Sequence, residues 1–301
     1  MWNWWPWMDR NRELLMNDEK LDKRLSDKDF LRVSRFIHKQ YGIHLPLAKK
    51  TLLEGRLRKR MRQCAIGTFG GYCDYLFTEQ GMKEESIYMI DAVTTNKTDF
   101  FREIHHFEFL TIQALPELIG NYKHPLRKTI RVWSAACSTG EEPYTLAMVL
   151  SEFALNCPGF DYSILATDIS TNVLDIAETA VYDEEKIAPI PLALKKKYLL
   201  KSKDSSKKIV RITPELRSRV IFRRFNLMDS HFPIAELMDV IFCRNVMIYF
   251  DAETQERLIR QFHQRLSPGG YLFMGHAESI NNMNVPLRYA APTIYQKEMQ
   301  P

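Results

Sequence analysis

Residues 130–146 read IRVWSAACSTGEEPYTL, and this stretch decides the fold. The apolar run of Ile130, Val132 and Trp133 changes to small residues, reaches Gly140 and continues as Glu-Glu-Pro-Tyr. This pattern is typical of a buried strand that passes through a tight loop into a helix, where a nucleotide can bind. A dinucleotide fingerprint needs three glycines, whereas this loop contains only Gly140. The stretch therefore predicts a cofactor loop for a ligand without a diphosphate.

The composition indicates a globular protein of ordinary type. The chain has 301 residues, 45% hydrophobic and 26% charged, which favours about two domains. The net charge of +5 is too small to indicate nucleic acid by itself. Five scattered cysteines without a CxxC motif indicate neither a disulfide framework nor a zinc site. No run of about 18 apolar residues predicts a transmembrane helix.

The first twenty residues form a tryptophan-rich tail that we expect to be flexible. MWNWWPWMDRNR contains four of the five tryptophans and lacks the features of a signal peptide. The indole rings either dock on the protein's own surface or lie at a membrane interface, where indoles are favoured. The sequence leaves both alternatives open.

Residues 21–95 predict a small helical domain. Ser26 is a candidate N-cap, and Phe30, Val33 and Ile37 then recur at helical spacing. Further helices are predicted over about 47–64, 69–79 and 84–95. No strand-like alternation occurs in this region.

From residue 130 onwards, strand-like and helix-like runs alternate, which predicts a mainly parallel sheet covered by helices. The last two strands lie too close together for a helical crossover, so we expect them to form an antiparallel edge. The predicted strands cover residues 130–135, 162–167, 219–225, 238–243, 270–275, 287–289 and 293–297, and the helices 141–156, 170–180 and 251–266. The fold class is α/β, a Rossmann-like sheet with an N-terminal helical domain.

The segment YLLKSKDSSKKIVRITPELRSRVIFRR (198–224) interrupts this alternation. Two alternating runs flank the polar turn KDSSKK, which predicts a β-hairpin with a long loop. We expect a small antiparallel β-subdomain at about 187–224. A surface insertion without a function is the alternative, because loops tolerate insertions at little cost.

Polar residues follow the predicted strands, at the sheet edge where open α/β folds bind ligands. Asp168 ends the second strand, where a carboxylate can accept hydrogen bonds from ribose hydroxyls or cap the next helix. Asn226-Leu227 and Arg244-Asn245 follow the third and fourth strands. Small residues after the first strand and a carboxylate after the second suit a nucleoside without phosphates. This pattern indicates S-adenosylmethionine (SAM).

Four segments resemble the chemotaxis-receptor glutamate O-methyltransferase family, CheR. They are TTNKTDFFREIHHF (94–107), WSAACSTGEEPY (133–144), ATDIS (166–170) and FCRNVMIYFD (242–251). The resemblance extends over roughly 27–298 and implies an N-terminal helical domain and a methyltransferase domain over 130–301 with an inserted β-subdomain. Residues 96–129 are expected to form the linker and the start of the catalytic domain. It places the cofactor contacts on Asn96, Thr98, Arg102, Glu142, Asp168, Asn226, Leu227, Arg244 and Asn245, with the adjacent Glu141 as the alternative to Glu142.

The resemblance implies methyl transfer from SAM to a receptor glutamate, giving a γ-methyl ester and S-adenosylhomocysteine. A glutamate is ionised at neutral pH, so no general base is needed. We expect Arg102 and Tyr249 to orient the substrate carboxylate. The alternatives are an intramolecular ion pair for Arg102 and an ordinary packing role for Tyr249. The pair His105-His106 lacks spaced partners, and we assign it no metal.

The run AKKTLLEGRLRKRMRQ (48–63) carries seven basic residues and one acid. Such a helix attracts an acidic helical partner, and the resemblance implies the cytoplasmic domains of transmembrane chemoreceptors. A solvated charged face is the alternative. The expected docking residues are Lys49, Lys50, Arg56, Lys59, Arg60 and Arg62.

The remaining expectations concern partners and location. In some members of the family the inserted hairpin captures a C-terminal receptor peptide by strand addition. The loop KSKDSSKK lacks the glycine of such members, which leaves this question open. We expect a cytoplasmic monomer, recruited to membrane receptor arrays, without membrane insertion or nucleic acid. An RNA methyltransferase and a cofactor-binding relative without turnover are the alternative functions.

Overall fold

The computed structural model describes residues 24–121, 129–204, 206–229, 236–280 and 283–299. The chain divides into two compact units, Met1–Thr95 and Asn96–Pro301. The tryptophan-rich tail predicted for residues 1–20 lies outside the described residues. No helix within the described ranges is long and apolar enough to cross a bilayer.

The first unit is helical, as predicted. Ser26 caps the first helix because its side chain accepts a hydrogen bond from the Asp29 N–H. The apolar face of this helix is buried at Phe30, Val33 and Ile37. The helices are α1 (Asp27–Tyr41), α2 (Lys50–Gln63), α3 (Phe69–Leu76), α4 (Glu79–Glu84) and α5 (Ser86–Val93), with a 3₁₀ turn at Leu47–Lys49.

The second unit is built around a seven-stranded sheet, which confirms the predicted fold class. The strands are β1 (Thr129–Ala135), β2 (Asp161–Asp168), β6 (Val220–Arg224), β7 (Met238–Cys243), β8 (Leu266–Met274), β9 (Leu287–Ala291) and β10 (Ile294–Lys297). Strands β6, β2, β1, β7 and β8 lie parallel in this order, and β10 and β9 continue antiparallel.

Helices cover the sheet and connect its parallel strands. A helical stretch before β1 buries Phe107, Leu110 and Leu115 in the core of this unit. Its parts are α6 (His105–Phe109), a π-helical turn (Leu110–Ala114) and α7 (Leu115–Asn121). The other helices are α8 (Glu141–Leu155), α9 (Thr171–Thr179), α10 (Leu192–Tyr198), α11 (Pro214–Arg217) and α12 (Ala252–Arg265).

The strand order reverses at β1. This strand pairs with β2 on one side and β7 on the other, and the chain builds outward in both directions from there. The carboxyl ends of β1 and β7 therefore lie side by side at a topological switch point, where open α/β sheets bind ligands. The strand register places Ser134 opposite Phe242 at this end of the sheet.

The inserted sheet has three antiparallel strands and different bounds from those expected. The predicted hairpin is β4 (Leu199–Lys201) with β5 (Ile209–Ile212), and β3 (Val181–Asp183) pairs with the other side of β5. The expected range of 187–224 omits β3, which is too short to show alternation. It also includes Val220–Arg224, which pairs in parallel with β2 in the main sheet.

Candidate active site

The loop after β1 uses left-handed backbone at three alternate positions. Ala136, Ser138 and Gly140 have φ angles of +62°, +50° and +95°. Only Gly140 must be glycine, because a Cβ there would lie 2.8 Å from Tyr182 Oη and 2.9 Å from Ala177 Cβ. The loop therefore needs only one glycine, because Ala136 and Ser138 adopt a positive φ although this conformation is less favourable for residues with a side chain.

Asp168 joins the ends of β1 and β2. Its Oδ2 accepts a hydrogen bond from the Ser138 N–H at 2.9 Å, and its Oδ1 accepts one from the Ser170 N–H at 3.0 Å. The residue is 7% exposed. The predicted strand-end carboxylate thus lies against the β1 loop and fixes its conformation.

A buried ion pair between Arg244 and Glu142 lies at the switch point between β1 and β7. Arg244 Nε donates to Glu142 Oε2 at 2.8 Å, and Ser134 Oγ donates to Glu142 Oε1 at 2.7 Å. The guanidinium also lies over the rings of Phe107 and Phe242, 5.3 and 5.5 Å from their centroids. The Arg244 side chain is only 2% exposed. It therefore acts within the protein, and the expected direct contact of its side chain with the cofactor is not supported by this geometry.

The neighbouring Glu141 has a separate set of partners. Thr139 Oγ1 donates to its Oε2 at 2.6 Å, and Lys186 Nζ donates to its Oε1 at 2.8 Å. These contacts hold the β1 loop to the segment after β3. Because Glu142 reaches the switch point and Glu141 does not share its partners, Glu142 is the better candidate of the two.

The segment that precedes α6 is held to the sheet edge at three places. Ser138 Oγ donates to the Asn96 carbonyl at 3.1 Å, and the Phe101 N–H donates to Thr145 Oγ1 at 3.2 Å. Arg244 Nη1 donates to the Arg102 carbonyl at 2.7 Å. Segment 96–104 therefore lies at the carboxyl ends of β1 and β7.

The backbone around Arg102 is strained. Phe101 and Glu103 have φ angles of +54° and +57°, which is uncommon for residues other than glycine. The Arg102 side chain is partly exposed, and its Nη1 donates to the Lys97 carbonyl at 3.2 Å. No ion pair joins it to another described residue. Strain of this kind concentrates at functional sites, which suits the expected role of Arg102.

His106 is a buried neutral histidine. Arg244 Nη1 lies 3.1 Å from its Nδ1, and Thr293 Oγ1 lies 2.9 Å from its Nε2. A guanidinium can only donate, so Nδ1 is the acceptor and the proton resides on Nε2. Burial and the charge of Arg244 lower the pKa of His106 to about 3. Its 3.5 Å approach to Glu103 is consequently not an ion pair.

Glu103, His105 and His106 lie close enough together for a metal ion to be considered. However, both ring nitrogens of His106 already have partners, and the guanidinium of Arg244 lies 3.6 Å from Glu103. A cation would displace these contacts and meet a positive charge. We therefore keep the expectation that this group is not a metal centre.

The remaining predicted residues lie on the loops around this edge. Asn226 forms a turn, with its Oδ1 accepting from the Met228 N–H at 3.1 Å, and Leu227 is buried. Asn245 has a φ of +60°, and Tyr249 ends the 3₁₀ turn Met247–Tyr249. Asn96, Thr98, Asn245 and Tyr249 are partly exposed.

Sequence reasoning missed several residues that support the site. Thr145, Glu278 and Thr293 hold site segments through hydrogen bonds, and Glu103 accepts one from the His276 N–H at 3.2 Å. Their partners lie far away in the sequence, so neither spacing nor periodicity signals them. Glu278 is the residue that the sequence could have indicated. It is a polar residue that follows the buried strand β8, just as Arg244 and Asn245 follow β7.

The residues at this edge fit SAM. Ser170 Oγ and Glu103 Oε2 are buried and have no hydrogen-bond partner among the described residues, and Arg244 Nη1 lies 3.6 Å from Glu103 Oε2 as an ion-pair contact. Such oxygens are costly unless a donor satisfies them. Carboxylates beside a small-residue loop suit a ligand with hydroxyls, an ammonium and a sulfonium, and basic side chains for a diphosphate are absent from the described part of this loop.

A concavity lies elsewhere on the same unit. It encloses about 400 Å³ and is lined by Tyr144, Glu178, Pro214, Arg217, Ser218, Val220 and Phe222. It lies against α11 and the edge strand β6, away from the β1–β7 switch point. None of the predicted site residues lines it.

Fold and site together define the class of SAM-binding methyltransferases. Residues 96–295 match the family described as CheR methyltransferase, SAM binding domain. Residues 28–94 match its companion, CheR methyltransferase, all-alpha domain. The chain belongs to the CheR methyltransferase family, which confirms the resemblance, the enzyme class and SAM as cofactor.

Proteins named chemotaxis protein methyltransferase match almost the whole chain. That of Borreliella burgdorferi is 39% identical over 282 residues, covering 93% of this chain and 98% of its own. Chemotaxis protein methyltransferase 2 of Pseudomonas aeruginosa is 40% identical, covering 89% and 92%. The Escherichia coli protein is 36% identical and covers 94% of each chain. Among solved structures, magnesium protoporphyrin IX methyltransferase from Synechocystis PCC 6803 covers 75% of this chain at 12% identity with a TM-score of 0.34, too distant to add to the assignment.

Proposed function

We propose that this protein transfers the methyl group of SAM to glutamate side chains of chemotaxis receptors, giving γ-glutamyl methyl esters. The observation that carries the proposal is the match to both CheR domains, with named relatives that align over almost their full length. SAM supplies an activated methyl group on a sulfonium. The products are the ester and S-adenosylhomocysteine.

The chain's own residues bind, orient and exclude water. A glutamate carboxylate is ionised at neutral pH, so the reaction needs no proton acceptor. Its approach to within about 3–3.5 Å of the methyl carbon requires a positioned donor, since an unpaired buried carboxylate is costly. We assign this role to Arg102 and Tyr249. Asn96, Thr98, Glu142, Asp168, Asn226, Leu227 and Asn245 are the proposed cofactor residues, with Arg244 supporting Glu142.

The receptor would dock on the exposed basic side chains of the first unit. Lys49, Lys59 and Arg62 are exposed, and Leu52 beside them is 48% exposed. These residues suit an acidic helical partner, such as the cytoplasmic domain of a receptor. A cytoplasmic location follows from such a substrate.

Three of the six expected docking residues have partners within the first unit. Arg60 forms a bidentate pair with Glu85 at 2.8 and 2.6 Å. Arg56 donates to the carbonyls of Val93 and Thr94 at the end of α5, and Lys50 pairs with Asp27 at 2.5 Å. We therefore propose structural roles for Arg56 and Arg60 and a minor docking role for Lys50.

The test is transfer of labelled methyl from SAM to receptor-containing membranes, followed by mild alkali. Label that enters protein and leaves as methanol identifies a carboxyl methyl ester, because amides and N-methyl groups survive alkali. Membranes without receptors are the control. Label on added RNA instead of protein would refute the proposal and support the RNA methyltransferase alternative.

The two ends of β2 offer a matched pair of variants for the cofactor site. Asp168→Asn replaces the buried carboxylate at the carboxyl end, and we expect it to weaken SAM binding at least tenfold. Asp161→Asn changes the exposed amino end, where the carboxylate pairs with Arg219, and should leave SAM affinity unchanged. Isothermal titration of both variants checks this expectation. If the two variants bind SAM with equal affinity, Asp168 does not contribute to cofactor binding.

A further inference from the structure

One buried carboxylate joins the loops that follow β7 and β8. Glu278 Oε2 accepts hydrogen bonds from the N–H groups of Asn245 at 2.9 Å and Gly275 at 2.7 Å. Its Oε1 accepts from the N–H groups of Met247 at 2.8 Å and Ile248 at 3.4 Å. The residue is only 5% exposed. A single side chain thus fixes four backbone amides from two loops.

The partners of this carboxylate make it unusual. Among the described residues its hydrogen-bond partners are all backbone N–H groups, and no cation lies within ion-pair distance. Burial raises the pKa of Glu278, and the four N–H bonds oppose that shift. A carboxylate buried at this cost needs a reason, since a well-packed apolar residue would fill the space more cheaply.

The loop it holds cannot be fixed by ordinary secondary structure. Asn245 is in the left-handed region with a φ of +60°, and a 3₁₀ turn of only three residues follows it. The first N–H groups of such a turn have no partner within it, and Glu278 supplies one for Met247 and Ile248. Gln255 holds the carbonyl side of the same loop, since its Nε2 donates to the Met247 and Phe250 carbonyls at 2.9 and 3.1 Å, and Glu278 is the side chain that binds its N–H groups.

The two loops also touch at a position that only glycine allows. A Cβ at Gly275 would lie 2.5 Å from Asn245 Nδ2, 2.7 Å from Asn245 N and 2.8 Å from Glu278 Oε2. The β8 loop therefore presses directly against the backbone of Asn245. Close packing and the shared carboxylate act at the same junction.

We propose that Glu278 is a positioning residue for methyl transfer. It fixes the backbone of residues 245–248, and this holds the side chain of Asn245 towards the cofactor and that of Tyr249 towards the substrate. The assignment rests on the proposed function for the roles of those two residues. Glu278 itself touches neither reactant.

The decisive variant is Glu278→Gln, which preserves shape but places an NH₂ donor against two N–H donors. In the cofactor-free protein we expect hydrogen exchange at the amides of Asn245, Met247 and Ile248 to accelerate at least tenfold. We expect SAM to bind at least tenfold more weakly and kcat to fall at least tenfold. Glu253→Gln, an exposed carboxylate at the start of α12, is the matched control and should change none of these values.

A second variant keeps the test decisive if Glu278→Gln folds poorly. Gly275→Ala attacks the same junction from the β8 loop and should accelerate exchange at the same three amides. Wild-type exchange in both variants, or faster exchange with unchanged SAM affinity and kcat, would overturn the proposal. Exchange and SAM binding require no receptor, so failure of receptor methylation in the wild type would refute the proposed function separately.

Discussion

At the scale of single residues, the site depends on polar groups that are buried with their partners. Arg244 connects the Glu142 carboxylate, the Arg102 carbonyl and the His106 ring across the switch point. The sequence predicted a functional role for Arg244 because this charged residue comes directly after an apolar strand. Its role in the structure is different, since the guanidinium binds other parts of the protein.

We expect Arg244→Met to destabilise the protein by about 3–5 kcal/mol, because Glu142 would remain buried without its charge partner. Arg260→Met is the control, as its pair with Glu256 is exposed and should contribute less than about 1 kcal/mol. Chemical denaturation of both variants measures the difference. A cost for Arg244→Met below that of the control would show that the pair is not important to stability.

His106 should make stability depend on pH in a defined direction. Its pKa is about 3 in the folded protein, well below the ordinary value near 6.5. Between these values the unfolded chain binds a proton that the folded protein does not, so the free energy of unfolding falls as the pH falls. The dependence is at most about 1.4 kcal/mol per pH unit.

The variant His106→Gln cannot titrate and should lose this part of the pH dependence. Denaturation at pH 7, 5.5 and 4.5 compares the slopes of variant and wild type, and carboxylates contribute equally to both. Identical slopes would mean that His106 takes up its proton at the same pH in the folded and unfolded states. Burial beside Arg244 would then not lower its pKa, which would contradict the expectation.

At the scale of elements, α2 shows how one helix divides its basic residues between two tasks. Arg56 and Arg60 point to partners within the first unit, whereas Lys59 and Arg62 are exposed. Helical periodicity explains the division. At 100° per residue Arg56 and Arg60 lie nearer to the buried face of Leu53, Leu57 and Met61, whereas Lys59 and Arg62 lie on the opposite side of the helix. A count of positive charges could not separate the two groups.

Reversing the exposed charges should impair receptor methylation selectively. We expect the triple variant Lys49→Glu, Lys59→Glu, Arg62→Glu to lower kcat/KM for receptor at least tenfold and to weaken its salt dependence, because electrostatic steering is lost. SAM affinity should stay unchanged. Initial rates at several salt concentrations test this expectation.

A charge-matched triple on α1 provides the control for this experiment. Lys28, Arg35 and Lys39 are exposed on that helix, so their reversal changes the net charge of the first unit equally. The control should retain most of the wild-type kcat/KM. If both triples lose activity equally, only the overall charge matters, and α2 is not a docking surface.

At the scale of the whole molecule, two separate cores support the two matched domains. The core of the first unit consists of helix faces. In the second unit both faces of the parallel strands are buried, with Val132 and Phe242 on one face and Trp133 and Ile241 on the other. The proposed cofactor residues belong entirely to the second unit, Asn96–Pro301. Cofactor binding should therefore stabilise mainly that unit.

We expect SAM at 100 times its dissociation constant to stabilise the second unit by about 2.7 kcal/mol. Hydrogen exchange in β1, β2 and β7 should slow accordingly, about a hundredfold, while exchange in α1 and α2 changes much less. Exchange measured with and without SAM tests this. Equal protection of both units would show that the chain unfolds as one cooperative body.

Local patterns were enough to predict much of this protein. Alternating strands and helices gave the parallel sheet, and the capping and periodicity around Ser26 gave the first helix, because these signals lie within a few residues of each other. Polar residues at strand ends indicated a ligand edge, and four motifs indicated the family.

The tertiary structure decided how those residues are used. Arg244 binds Glu142 and His106, and Arg60 binds Glu85. Strand β3 belongs to the inserted sheet, and Glu278 connects two loops. The physical reason is common to all four. Each contact joins residues distant in the sequence, and whether a charged side chain faces solvent, a ligand or a buried partner depends on the packing of elements that no local pattern encodes.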